Sequence, residues 1–270
     1  MTVNGARPLL HPRAPGWKKD LAAPNDKPVE VVTTRYISNP PNCFDQIYLE
    51  LPRQTLNVRG PIAILAIGLM ILFVLGTALY FLTLELDYPS LEYLIADLMF
   101  LSGLLLTAGS AIWGWRLDTE CPRDEPIRFN RVRRKVYVYR FRSNAFRLFS
   151  RTEWGVQVDV FDWDDLHAEY CSAYGPMGTG GKIEMVMLTV REPGTNIAKD
   201  RFKFAGSQED GESYWTIAQL FMQQGPQAIP AFDRPPRDWN NEDDTLNIAR
   251  RLAPKVKWPE DIDFESRTAP

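Results

Sequence analysis

Residues 61–84 read PIAILAIGLMILFVLGTALYFLTL, 24 residues without a charge. A helix rises ~1.5 Å per residue, so this run covers the ~30 Å hydrocarbon core of a bilayer with some tilt. The core helix of a soluble protein rarely needs so long an unbroken apolar run, and the length predicts a transmembrane helix. A second apolar run follows at 94–115, LIADLMFLSGLLLTAGSAIWGW. Its only charge is Asp97. Ser90 is placed to cap this helix, with Glu92 in the first turn. Asp97 then lies about two turns in, near the head groups, where a carboxylate costs less than at the midplane. Trp113 and Trp115 stand at the far end, as an aromatic belt requires. Residues 85–89, ELDYP, join the runs as a tight acidic turn. The expectation is one antiparallel transmembrane hairpin within 53–117.

The flanks orient it. Arg53 and Arg59 precede the first span. Arg116, Arg123, Arg128, Arg131, Arg133, Arg134 and Lys135 follow the second. The connecting turn has no base. The positive-inside rule puts both termini in the cytoplasm and, in a bacterial inner membrane, the turn in the periplasm. Gly68, Gly76, Gly103 and Gly109 give the helices small surfaces for close packing, either within the hairpin or between protomers. Asp97 is open to two readings, a solvated carboxylate near a helix end or an interface and proton-relay group.

Composition agrees with a membrane element set in soluble parts. The chain has 270 residues, with 31 Lys and Arg against 34 Asp and Glu. Residues 61–115 hold none of the bases and only four of the acids, Glu85, Asp87, Glu92 and Asp97. A wholly soluble chain, collagen, a coiled coil and wholesale disorder are excluded. Three scattered cysteines give neither a disulfide framework nor a CxxC site, which fits a reducing compartment. The first twenty residues have no apolar stretch of the kind a cleaved signal needs.

Residues 1–52 are rich in proline and read as a cytoplasmic arm, with one candidate strand at 29–37 (VEVVTTRYI). Residues 126–225 read as a compact cytoplasmic domain. KVYVYRFR at 135–142 alternates strictly, with Val136 and Val138 on one face and Tyr137, Tyr139 and Phe141 on the other. Segments 126–130, 155–163, 166–174, 182–192 and 200–205 read as further strands. Residues 175–181 form a Gly-rich loop, and Pro193-Gly194 turns a hairpin. Tyr214, Ile217, Ala218 and Phe221 share a face of a helix at 213–224, stopped by Gly225-Pro226. The fold class expected is therefore α+β: a two-helix membrane hairpin, then antiparallel strands closed by a C-terminal helix. That order resembles the pleckstrin-homology-like arrangement, an analogy of fold that carries no function. Residues 226–270 are acidic, with Pro and Trp, and read as a loosely packed tail with a short helix at 245–252.

The residues offer little for catalysis. The loop ending Gly180-Gly181-Lys182 has Pro176 and Ile183 where a phosphate loop needs Gly and Ser or Thr. Asp162, Asp164, Asp165, His167 and Glu169 make an acidic cluster, but not in a calcium-loop pattern. With only His11 and His167 in the chain, zinc or triad chemistry has little to work with. No catalytic, cofactor or metal residues are assigned. The clearest signal is charge: residues 127–151 hold nine bases and no acid, interleaved with aromatics. Arg116, Arg128, Arg131, Arg133, Arg134, Lys135, Arg140 and Arg142 are the candidate contact face. Just inside a membrane, such bases suit anionic lipid, at about 1 kcal/mol each, or a protein partner better than nucleic acid. The other reading is a sheet face paired with the chain's own acids.

The Pro-rich arm, the two-span hairpin, IRFNRVRRKVYVYRF, VFDWDDLHAEY, and the closing hairpin and helix together resemble an uncharacterised family of proteobacterial membrane proteins. The resemblance covers roughly residues 30–225. It implies an accessory or immunity protein working beside type VI secretion components and effectors, and a protein partner of that kind. The expected function is thus a non-enzymatic inner-membrane protein that binds a secreted effector or secretion component. Two alternatives remain: an oligomeric scaffold or lipid-binding module, and a membrane-active toxin element.

Overall fold

The computed structural model describes residues 7–27, 37, 39–53, 61–83, 91–144, 147, 150, 152–175, 181–238, 241–243 and 251–270, with the backbone alone at 61–63, 80, 81, 83, 91–93 and 96. The expected strand at 29–37, the acidic turn at 85–89, the Ser90 cap, and most of the loop at 175–181 and of the helix at 245–252 lie outside these residues. The first half of the chain supplies β1 (Trp17–Asp20), β2 (Cys43–Phe44), β3 (Tyr48–Leu51), α1 (Pro61–Thr83) and α2 (Leu91–Glu120). The second half supplies β4 (Ile127–Asn130), β5 (Lys135–Arg142), β6 (Gly155–Asp162), β7 (Leu166–Tyr174), β8 (Lys182–Arg191), β9 (Ala198–Ala205), α3 (Gln208–Gln224) and α4 (Glu260–Arg267). The fold is mixed α+β, with two antiparallel sheets ordered β2-β3-β4-β5-β6 and β1-β7-β8-β9.

Period-two alternation builds the core between the sheets. Leu49, Leu51, Ile127, Phe129, Val136 and Val138 face inward from the first sheet and are fully buried. Ala168, Val186, Leu188 and Phe204 meet them from the second. Trp163 and Trp215 pack with tilted rings 5.1 Å apart where α3 meets the sheets. The three in-phase valines of β6 behave otherwise: Val156 and Val160 are exposed on the sheet's edge strand, and Phe161 faces the core instead.

The closing helix begins five residues before its expected start at 213. Ser207 caps it, accepting the Asp210 backbone N–H at 3.1 Å, and Glu209 and Asp210 complement the first turn. Gly211, which reads as a break in the sequence, is where the helix touches β8: a Cβ there would sit 2.2 Å from Val186 Cγ2. The Pro-rich arm is part of the fold. It gives β1 to one sheet and β2 and β3 to the other, and residues 22–26 run along α3, where their carbonyls accept Trp215 Nε1, Gln219 and Gln223.

β3 pairs with β4 from Tyr48↔Asn130 to Leu51↔Ile127. Helices α1 and α2 are thus an insertion between two adjacent antiparallel strands, and the sheet begins before them rather than at residue 126. The pairing was hidden because the partners lie about eighty residues apart in sequence. Buried Arg53 fastens the root of the insertion. Its guanidinium donates to the carbonyls of Glu125 (2.5 Å), Lys203 (2.9 Å) and Tyr139 (2.5 Å), and Asp124 accepts its backbone N–H at 3.3 Å. Burial pulls its pKa down to about 10, so it stays charged at neutral pH.

The Phe73 ring packs on Phe100 at 6.3 Å, and a Cβ on Gly103 would lie 2.6 Å from Phe73 Cζ. Seven residues between α1 and α2, at ~3.5 Å each, cannot run back along a 23-residue helix, so the two are antiparallel. Their outer surfaces are apolar and bare; Ile64 and Leu106 are each 73% exposed. Among the described residues, Asp97–Glu120 is long and apolar enough to cross a membrane, and Ile64–Leu79 is a shorter apolar helix. Arg53→Ala removes one buried cation and the donor that three carbonyls share. It should lower stability by about 3–5 kcal/mol, measured by thermal unfolding in mild detergent.

Candidate interaction face

The alternation that points Ile127, Phe129, Val136 and Val138 inward points Arg128, Asn130, Tyr137 and Tyr139 outward. Three of the eight candidate bases, Arg128, Arg133 and Lys135, meet partners on this outer face, and those partners belong to the chain itself. Arg128 is fully buried. It pairs with Glu50 of β3, reaches Asp263 of α4 at 2.6 Å, and lies 4.1 Å from the Trp258 ring and 5.5 Å from that of Tyr48. Asn130 donates to the Ser266 and Thr268 carbonyls at 3.0 and 3.1 Å. Lys135 and the Tyr137 hydroxyl both bind Glu265 at 3.0 Å. Arg133 donates to the Thr268 and Ala269 carbonyls at 3.0 Å each, and caps the C-terminal end of α4. Tyr139 packs on Trp258 at 5.3 Å.

The other candidates disperse. Arg134 joins Asp164 (2.5 Å) and Asn25 (2.9 Å) at the β5–β6 side of the domain. Arg140 ties Asp159 (2.7 Å) to Asp200 (2.6 Å), linking the two sheets. Arg131 lies against Gly225, where a Cβ would sit 3.2 Å from its Cζ. Arg116 rides on α2, which continues past the expected end of the span; it binds Glu120 and covers the Trp154 ring at 4.2 Å. Arg142 is exposed at the end of β5. Of the eight, only Arg128, Arg133 and Lys135 converge with Asn130 on one occupied surface. The pairing with internal acids, one of the two readings open from sequence, describes this face.

The acidic cluster also separates. Asp164 goes to Arg134, while Glu169 accepts from Thr189 and Arg201 on the outer face of the second sheet. No three His, Cys, Asp or Glu among the described residues are placed to hold a metal ion. On the helices, Gly103 packs under Phe73, Gly68 and Gly76 have open space around them, and Gly109 is half-buried. One oxygen of Asp97 is buried without a hydrogen-bond partner among the described residues.

The tail was expected to pack loosely. Its last twenty residues dock instead, starting where Arg123 donates twice at the helix root: its backbone N–H goes to the Pro254 carbonyl at 3.0 Å and its guanidinium to the Glu242 carbonyl at 2.6 Å. Tyr48, Glu50, Trp258, Asp263 and Glu265 are the site residues that sequence reasoning passed over. A charge-complementary pair, basic 128–135 against acidic 260–265, was the one signal that would have found them.

Residues 104–270 match the family described as "Family of unknown function (DUF6708)", and the chain belongs to that family. The matched segment starts within α2 and takes in β4 through β9, α3 and the docked tail. No curated protein and no solved structure matches the chain.

Glu265 contributes an acid-sensitive part of the tail contact. The Lys135 ammonium, then the Tyr137 hydroxyl, hold its carboxyl below the usual range. A lowered carboxylate stabilises docking above its unfolded pKa, about 4.3, and that contribution disappears as pH falls through the lowered value. A trifluoromethyl tag on Phe264→Cys should therefore give an unchanged 19F spectrum from pH 8 to about 5, and a shift toward the free-tail signal only below about 4. Loosening near neutrality would mean that another group controls the contact.

Proposed function

We propose that the chain is a non-enzymatic, membrane-anchored binding protein. In this reading α1 and α2 cross the bilayer as an antiparallel hairpin, and the two-sheet domain lies on the side of Arg53 and Arg116, where both chain ends are. The observation that carries it is the bare apolar surface of α1 and α2, which ends at Trp113 and Trp115 and is followed at once by Arg116. An uncovered surface of that extent is costly in water, and natural where lipid covers it. The cytoplasmic side of an inner membrane follows from the same distribution of bases. β3 to β6 facing β7 to β9, with α3 closing one end, supports the pleckstrin-homology-like likeness, which speaks for architecture alone.

The domain's task is to hold a protein partner. Most of the candidate bases serve the fold or the tail, so the recognition material proposed is the acidic tail and the face on which it lies. A secretion effector or component, as the resemblance implies, is the partner class proposed, with the protein as immunity or accessory factor. A lipid-binding role has less behind it, since Arg128, Arg133, Arg134, Lys135 and Arg140 all have partners within the chain.

Topology is tested with single cysteines in a variant lacking Cys43, Cys121 and Cys171, expressed in a Gram-negative host. An impermeant maleimide should label Ser90→Cys in intact spheroplasts and Ala269→Cys only after permeabilisation. Release of the protein by alkaline carbonate, or the opposite labelling, would end the anchor reading. Mild-detergent purification from the native host then asks for a stoichiometric protein partner.

A further inference from the structure

The last segment of the chain is held in an unusual way. α4 has eight residues, a length at which a helix is marginal in water without tertiary support. Yet that support is scarcely apolar. Ser266 is its only buried residue, and Phe264, its largest apolar side chain, is 71% exposed. What binds α4 is charge and hydrogen bonding, through Arg128–Asp263, Lys135–Glu265, Tyr137–Glu265 and the Asn130 and Arg133 contacts with the carbonyls beyond. Trp258 adds the one large aromatic contact, and its indole N–H is buried without an acceptor among the described residues. An attachment of this kind is screened by salt and open to competition.

Arg128, at the centre of the surface beneath, has one counter-charge that the tail does not supply, whereas the carboxylate beside Lys135 comes from the tail. Arg128 keeps Glu50 from the neighbouring strand and stays stacked on Tyr48 when Asp263 leaves. With the tail away, Arg128 becomes an aromatic-lined cation flanked by Arg133, Lys135 and the Tyr137 and Tyr139 rings.

We infer that this outer face of β4 and β5 is a recognition site for an acidic, tryptophan-bearing peptide segment of the partner, and that the chain's own tail occupies it in the resting state. The inference rests on the partner-binding reading above and gives that partner a chemistry. Carboxylates spaced two residues apart on a short helix reach Arg128 and Lys135, as Asp263 and Glu265 do, and an aromatic group covers Arg128. Covalent attachment gives the tail a high effective concentration, so the tail sets a threshold: only a segment that binds more tightly, or one aided by a second contact, displaces it.

The probe is a fluorescein-labelled synthetic peptide of residues 254–270, added to the detergent-solubilised full chain and followed by anisotropy. Weakening the tail in place, by Asp263→Asn with Glu265→Gln, should let the peptide bind at least tenfold more tightly than it binds the unaltered chain. Raising salt from 50 to 500 mM should weaken that binding, and a peptide carrying Lys for both carboxylates should not bind. Adding Arg128→Ala to the weakened chain should abolish binding. Should that variant melt, Lys135→Ala with Arg133→Ala, both at the rim, should still reduce it severalfold. No peptide binding to a folded, tail-weakened chain, or equal binding to both chains, would overturn the inference. Those results concern the face alone: a partner that copurifies from the native host while the peptide fails leaves the partner-binding reading standing and sinks only this site.

Discussion

Everything else in the molecule depends on the way Arg53 closes the sheet beneath two apolar helices. A chain that leaves a β-strand to form a long helical insertion, then returns to the adjacent strand, has to seal the point of departure. Backbone carbonyls that lose their neighbours there would be buried and unsatisfied. One guanidinium solves this, because its planar fork donates in several directions at once. It takes the Glu125 carbonyl at the returning strand, the Tyr139 carbonyl on β5 and the Lys203 carbonyl on the second sheet. Its charge is answered by Glu125, whose carboxylate also accepts the Phe141 N–H at 2.6 Å. The root of the helices and the junction of both sheets are thereby a single knot.

Charge elsewhere is used in the same way, as internal fastening. Arg140 crosses between the sheets, Arg134 holds the arm through Asn25, and Arg128 and Arg133 hold the tail. A basic stretch just beyond an apolar helix has two physical fates, contact with a charged surface outside or neutralisation within. Acids far away in sequence decide for the second at most of these positions. Glu50 precedes Arg128 by 78 residues and Asp263 follows it by 135.

Much of the local structure was legible because its signals are short-range. Strict alternation marked β5, and Pro193-Gly194 marked the turn between β8 and β9. The apolar face of α3 was visible, though Gly211 disguised its first turns; a glycine there serves close approach to Val186 and does not end the helix. Long-range pairing left no local trace. β3 is four residues long, too short for a periodic pattern to stand out, and its partner lies beyond the inserted helices. The valines of β6 carry the period of a core strand, yet they face outward, since alternation identifies a face without saying which side is covered. Of the candidate site, the bases were apparent and their partners were not, because charge complementarity between distant segments has no spacing rule.

Leu51 and Ile127 stand opposite each other in the ladder, immediately before and after the inserted helices. Residues so paired have Cα atoms only ~4.5–5.5 Å apart, a gap that a two-residue turn spans. The apolar helices are thus a guest at what is, to the sheet, an ordinary hairpin bend. A shorter chain in which a tight turn joins the Arg53 and Asp124 sides would keep the knot and both sheets intact. The domain is in this sense portable: the pairing of β3 with β4 needs only that the ends of the inserted segment return to the same place, whatever that segment is.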